Sequence, residues 1–151
     1  MHWLYLKYAR IVINVVLLVL DVTGIKISLS SFARSRAIEK ACDFLGMNPE
    51  ARMAIETFIS DFKTAWERND TWEMAKTIFE LIKKLQAFGL LWMIIESMVC
   101  EMSKWDWFMT AVQVSFTVTA TLATDGLALT AKISSVVLSA KSLIDLIKDV
   151  S

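Results

Sequence analysis

Among groups able to do chemistry, the chain offers one histidine, His2, two cysteines, Cys42 and Cys100, and scattered carboxylates. A zinc site draws three or four ligands from Cys, His and carboxylates, and a cysteine nucleophile needs a base held beside it. With one histidine and two cysteines, neither a zinc site nor a Cys–His nucleophile is expected within one copy of the chain. Both thiols read as buried small hydrophobes, with a single disulfide as the alternative if the protein is exported. The remaining raw material is paired carboxylates, Glu96 with Glu101 and Asp61 with Glu67. Separations of five and six residues do not set such a pair squarely on one helical face, and acids at this density ordinarily solvate a surface. No catalytic residue, metal or cofactor is therefore expected, and the chain reads as a non-enzyme.

What must position any other function is an unusually apolar scaffold. The hydrophobic set makes up 56% of 151 residues and the mean hydropathy is +0.50, above the roughly 45–50% of ordinary soluble domains. Either almost everything packs inward or part of the chain meets lipid. Sixteen basic residues balance sixteen acidic ones, so no global field recruits nucleic acid, which is set aside as a partner. The charges are unevenly placed: residues 1–40 carry six basic and two acidic groups, and residues 41–80 four and eight.

One proline and four glycines are too few turn formers for a protein of many short strands. The expectation is one all-α domain over 1–151, a compact bundle of about five to six helices. In the first segment a charge-free run from Ile11 to Leu20 lies between Arg10 and Asp21. It is shorter than the roughly twenty residues that span a bilayer. Lys7, Arg10, Asn14 and Asp21 recur near heptad spacing, which predicts a buried or interfacial helix with a narrow polar stripe; a cleaved signal and a strand stay open. Ser30 or Ser31 should cap a helix that ends at Leu45, with Gly46 left-handed and Met47 folding back as its hydrophobic contact. Asn48-Pro49-Glu50 starts the next helix, and Asp70 with Glu73 starts another. From Lys84 to Glu96 the chain carries no charge and should be buried on nearly every side, Gly89 marking a kink, a close crossing or a tolerated glycine.

Val112 to Leu122 alternates apolar and polar residues as a half-buried strand does, and the Asp125-Gly126 dipeptide that follows is a hairpin signal. Such a strand hairpin would suit the inserting arm of a β-barrel pore former. Helical spacing competes well. Asp106, Thr110, Gln113, Thr117, Thr121 and Thr124 fall on one stripe, and apolar residues from Ile133 to Val150 recur at steps of three and four. The helical reading is preferred: an apolar helical hairpin at about 105–150, turning at Asp125 and Gly126, with Gly126 the cap between two antiparallel helices. Eighteen charge-free residues separate Asp106 from Asp125, roughly 27 Å of helix at 1.5 Å per residue, just short of the hydrocarbon thickness of about 30 Å. Trp105, Trp107 and Phe108 at its start occupy the place of an interfacial anchor. The threonines and Gln113 are costly against lipid tails but suit a seam facing another copy or water.

In outline this arrangement resembles the colicin-like pore-forming domains, which hide a hydrophobic helical hairpin inside amphipathic helices. The likeness is one of architecture and assigns no residue a role. It is in keeping with a membrane-active, toxin-like protein that inserts the hairpin into a lipid bilayer, and the polar seam of that helix adds the expectation of a homo-oligomer. The site of insertion and self-association would be Trp105, Trp107, Phe108, Thr110, Gln113, Thr117, Thr121 and Thr124. Expected locations are a membrane surface or the exterior, with a soluble cytoplasmic form as an alternative. The competing reading is a non-catalytic interaction or assembly subunit whose apolar surface a partner covers.

Overall fold

The chain is all-helical in a computed structural model that describes residues 2–25, 27, 29–99, 103–123 and 126–151, with backbone only for 117–119 and 121–123. Among the described residues there are α1 (His2–Val22), α2 (Ser31–Met47), α3 (Pro49–Glu67), α4 (Thr71–Ala87), α5 (Leu90–Met98), α6 (Lys104–Ala123), α7 (Leu127–Val136) and α8 (Lys141–Val150). Val112–Ala123 lies within α6, so the helical period prevails over the alternating one. The strand hairpin is excluded there, and Leu127–Val136 is helical as well.

Three helix starts arise from local chemistry. Ser30 Oγ accepts the Ala33 amide at 3.0 Å, Asn48 Oδ1 the Ala51 amide at 3.1 Å, and Asp70 Oδ1 the Glu73 amide at 3.0 Å, each satisfying a donor the helix itself leaves unpaired. The end of α2 differs from the sequence expectation. Gly46 is not left-handed and α2 continues through Met47, which is 84% exposed and so is not folded back onto the helix end. The reason is Asn48, which closes α2 through its backbone N–H to the Leu45 carbonyl while its side chain opens α3. One residue serves both ends, and no left-handed turn is needed. Arg52 Nη1 adds a second donor to the Leu45 carbonyl at 2.6 Å, with its guanidinium 5.0 Å from the Tyr5 ring. Asn48→Ala is expected to cost about 1 kcal/mol, read as a fall of roughly 2–4 °C in Tm.

The core is built around α1, which packs against α2, α3, α4, α7 and α8. Ile11, Val12, Ile13, Val15 and Val16 are fully or almost fully buried, more than half the circumference of the helix. The heptad-spaced stripe faces out: Arg10 and Asp21 are exposed, and Asn14 donates to the Arg10 carbonyl at 2.9 Å. At 21 residues α1 is long and apolar enough to cross a membrane. It is the buried helix expected from its spacing, and Leu4, Leu6 and the tyrosines extend its apolar face beyond the charge-free run. In this fold that face is occupied by protein.

Two further breaks raise the helix number above five or six. Gly89, at φ +78, separates α4 from α5, and open space around it shows a left-handed turn, not a close helix crossing. The α5 stretch is buried through Leu90, Leu91, Ile94 and Ile95, whereas Trp92 is exposed. The second arm of the expected hairpin is not one helix: α7 passes through a short 3-10 turn, Val137–Ser139, into α8, with a bend of 78°. No proline or glycine marks that break. Ser135 Oγ donates to the Lys132 carbonyl at 2.7 Å, a side-chain bond that competes with the helix ladder. The bend sends Leu129 and Ile133 toward α4 and α1, while Leu143, Ile144 and Ile147 reach the core beside α1 and α3. Lys7 Nζ meets Asp149 Oδ2 at 2.9 Å, and Lys148 Nζ lies 5.1 Å from the Trp66 ring. These contacts hold α8 down.

Candidate functional site

The start of α6 is set by a reciprocal pair. The Asp106 amide donates to Ser103 Oγ at 3.2 Å while that hydroxyl donates to Asp106 Oδ2 at 2.9 Å, with the acid near the positive helix end. From this start α6 runs over the outside of the fold. Among the described residues its contacts with the rest of the fold are few, and α7 is its main neighbour. It is not the central rod of a bundle; α1 has that place.

Because α6 has two apolar sides, its rotation decides what water sees. Val114 turns inward and is 2% exposed; on the same side Ala111 is half-buried and Trp107, at the mouth of a groove, stays partly open to solvent. The other apolar side points out: Trp105, Phe108, Met109, Val112 and Phe116, at steps of three, one, three and four, form one row. Trp105 is 69% and Phe116 76% exposed, and the Trp105 and Phe108 rings lie 6.1 Å apart, tilted by 31°. Three to four such side chains per two turns is the pattern of a face that packs against something, and among the described residues this row stays largely open to solvent.

The structure brings some expected site residues together and leaves others apart. Trp105 and Phe108 belong to the outward row, and Trp107 sits at the groove between α5 and α6. Thr110 is half-buried and Gln113 exposed. The α6 backbone carries Thr117 and Thr121 on the stripe of Gln113; their side chains, and the whole of Thr124 and Asp125, lie outside the described residues. Gly126 is left-handed at φ +73, ψ 10, as a hairpin turn would have it, but it caps the start of α7. Met109, Val112 and Phe116 were missed as site residues. Their spacing from Trp105 was legible, but the polar stripe beside them drew the reading of the helix.

Two grooves meet at Trp107. One, about 320 Å³, is almost entirely apolar and lies among Trp92, Ile95, Val99, Trp107, Thr110 and Ala111. The other, about 730 Å³, is lined by Arg36 and Lys40 of α2, Glu96 of α5, and Lys104, Trp107 and Phe108 of α6. Arg36 and Lys40 are four residues apart and share a face of α2. Neither they nor Lys104 form an ion pair among the described residues.

The groups suited to other chemistry are placed differently. Cys42 is buried, as expected, and the fold brings its Sγ within 3.8 Å of His2 Nδ1, joining α2 to the start of α1. A pairing across forty residues of chain depends on tertiary structure and leaves no local mark. The Cys42 thiol is held in the packed interior. Burial, and then the charge of Asp43, push its pKa above the ordinary thiol value, whereas a nucleophile needs the thiolate. Asp61 and Glu67 are exposed on α3, and Cys100 and Glu101 lie outside the described residues. No cluster of three or more metal-ligating side chains occurs among the described residues. Comparison of the chain with protein-family models, with curated proteins and with solved structures gives no match.

Proposed function

We propose that the protein is a membrane-active helical protein that permeabilises a bilayer by inserting its C-terminal segment, about 105–150, with self-association. In this reading the C-terminal segment acts as the apolar hairpin of a compact bundle. The observation that carries it is the outward row of Trp105, Phe108, Met109, Val112 and Phe116. A helix presenting large apolar side chains to solvent gains by burying them, at roughly 1.5–3 kcal/mol for each Phe-sized side chain fully removed from water.

Among the described residues α6 is sparsely attached, so laying it on a bilayer disturbs little of the core. The first contact is then interfacial, row down, with Trp105 at head-group depth. Deeper insertion carries the polar stripe of Thr110 and Gln113 toward lipid, where a second copy of α6 offers a matching polar face. The 78° break before α8 fits an arm whose far part, with Lys141, Asp145, Lys148 and Asp149, stays at the surface. No catalytic step, cofactor or nucleic acid enters this reading.

The test is dye release from phospholipid vesicles, followed alongside the tryptophan emission maximum. Wild type is expected to release dye with a blue shift. The triple variant Trp105→Ser, Phe108→Ser, Phe116→Ser should lose at least tenfold in activity while keeping its helical spectrum, since all three side chains are exposed. Release that survives the triple substitution would place the membrane contact elsewhere. A second reading, a non-catalytic assembly subunit, rests on the same row covered by a second copy or a partner. It predicts a stable oligomer at dilution without lipid, no dye release, and dissociation of that oligomer by the same triple variant.

A further inference from the structure

The geometry points to an anionic phospholipid as the ligand of the two grooves that meet at Trp107, its phosphate among Arg36, Lys40 and Lys104 and an acyl chain along Trp92, Ile95 and Ala111. This deepens the membrane reading and rests on it. A phospholipid joins a negative phosphate directly to apolar chains, so a site for it must set cations beside an apolar channel. The structure does this on either side of one indole. The larger groove places three cations against one carboxylate, Glu96, among the described residues. The smaller is almost wholly apolar and shares Glu96, Val99 and Trp107 with it.

Charge complementarity selects the ligand. A chain with no net charge has no long-range pull on an anionic surface, so attraction must come from a local cluster. Arg36 and Lys40 are held at helical spacing on α2, and Lys104 faces them from the first turn of α6. A cation near an anionic membrane surface is worth about fivefold in affinity, so three together give about a hundredfold, less what Glu96 takes back. The cluster also lies beside Phe108, the member of the outward row nearest the groove. An α6 lowered row-first onto a bilayer thus brings the cations to head-group depth.

The experiment measures sedimentation with vesicles of phosphatidylcholine alone and of phosphatidylcholine with phosphatidylglycerol. Wild type and the variant Arg36→Gln, Lys40→Gln, Lys104→Gln are compared. A third arm adds inorganic phosphate or glycerol phosphate as competitor, and a fourth uses lipid brominated in its chains to quench tryptophan, with Trp107→Phe as control. Wild type should prefer the anionic vesicles by tenfold or more. The variant should lose that preference while still binding phosphatidylcholine vesicles, soluble phosphate at millimolar concentration should not compete, and quenching should fall in Trp107→Phe. Equal binding of wild type to both vesicles, a preference that survives charge removal, or quenching unchanged in Trp107→Phe overturns the assignment. Competition by soluble phosphate would make the site one for free phosphate. Binding of wild type to neither vesicle would overturn the membrane reading itself, an outcome distinct from loss of selectivity alone.

Discussion

Gly126→Ala is expected to destabilise the protein by about 2–5 kcal/mol, seen as a fall of roughly 5–15 °C in Tm. Two separate costs add. The first is in the backbone. Gly126 sits at φ +73, ψ 10, where an L side chain crowds the neighbouring carbonyl and costs about 1–2 kcal/mol. The second is tertiary. A Cβ at this position would overlap the Phe79 ring, which is buried in the core with Lys83 Nζ 5.5 Å from it. The ring has little room to retreat, and overpacking of a closed core costs about 1–3 kcal/mol. Gly126→Asn separates the terms, because asparagine tolerates the left-handed region while its Cβ still meets the ring. A double-mutant cycle with Phe79→Ala isolates the contact: in that background Gly126→Ala should retain only the backbone cost. Equal penalties in both backgrounds would show that the glycine is there for its turn and not for its fit.

That glycine illustrates how far the sequence could be read. Its turn was legible, since Asp-Gly between two periodic segments is a local signal, but its fit against a ring forty-seven residues earlier was not. The same division runs through the chain. Ser30, Asn48 and Asp70 act within three residues of themselves, and each caps the expected helix. Gly46 misled because two local signals overlapped and Asn48 satisfied both ends at once. The break between α7 and α8 carries no proline or glycine, only serines and β-branched residues whose weak helix preference becomes decisive once the bend buries Leu143, Ile144 and Ile147.

The candidate site follows the same rule. The period of α6 was readable, but its rotation was not, because a helix apolar on two sides offers no local criterion for which side turns inward. Nor could the sequence place Arg36 and Lys40 opposite Lys104, since that depends on how α2 and α5 pack. Cys42 and His2 met for the same kind of reason. Local chemistry specified elements and caps; packing specified which faces remain open, and the candidate function rests on those faces.

Of all the helices, α1 has the composition best suited to a bilayer, and its role is decided by a substitution that lipid would scarcely notice. Ile11→Ala removes apolar volume from a side chain with no exposure on a helix flanked by five others. If α1 holds the fold, the change costs about 2–5 kcal/mol, or roughly 5–15 °C in Tm, whereas Leu17→Ala at a half-buried position should cost well under half as much. A spanning α1 withdrawn from the other helices would give small and similar shifts for both. The distinction bears directly on membrane action. With α6 as the inserting element, α1 stays seated, and the amides of residues 11–16 remain protected from exchange whether or not vesicles are present. With α1 as the inserting element, its neighbours lose their central support. The exposed polar stripe of Arg10, Asn14 and Asp21 would then have to enter lipid or pair there, at a cost of several kcal/mol for each uncompensated charge. The outward row on α6 carries no such penalty, which is why insertion is expected to begin there and to leave the Ile11→Ala effect on Tm unchanged in the presence of lipid.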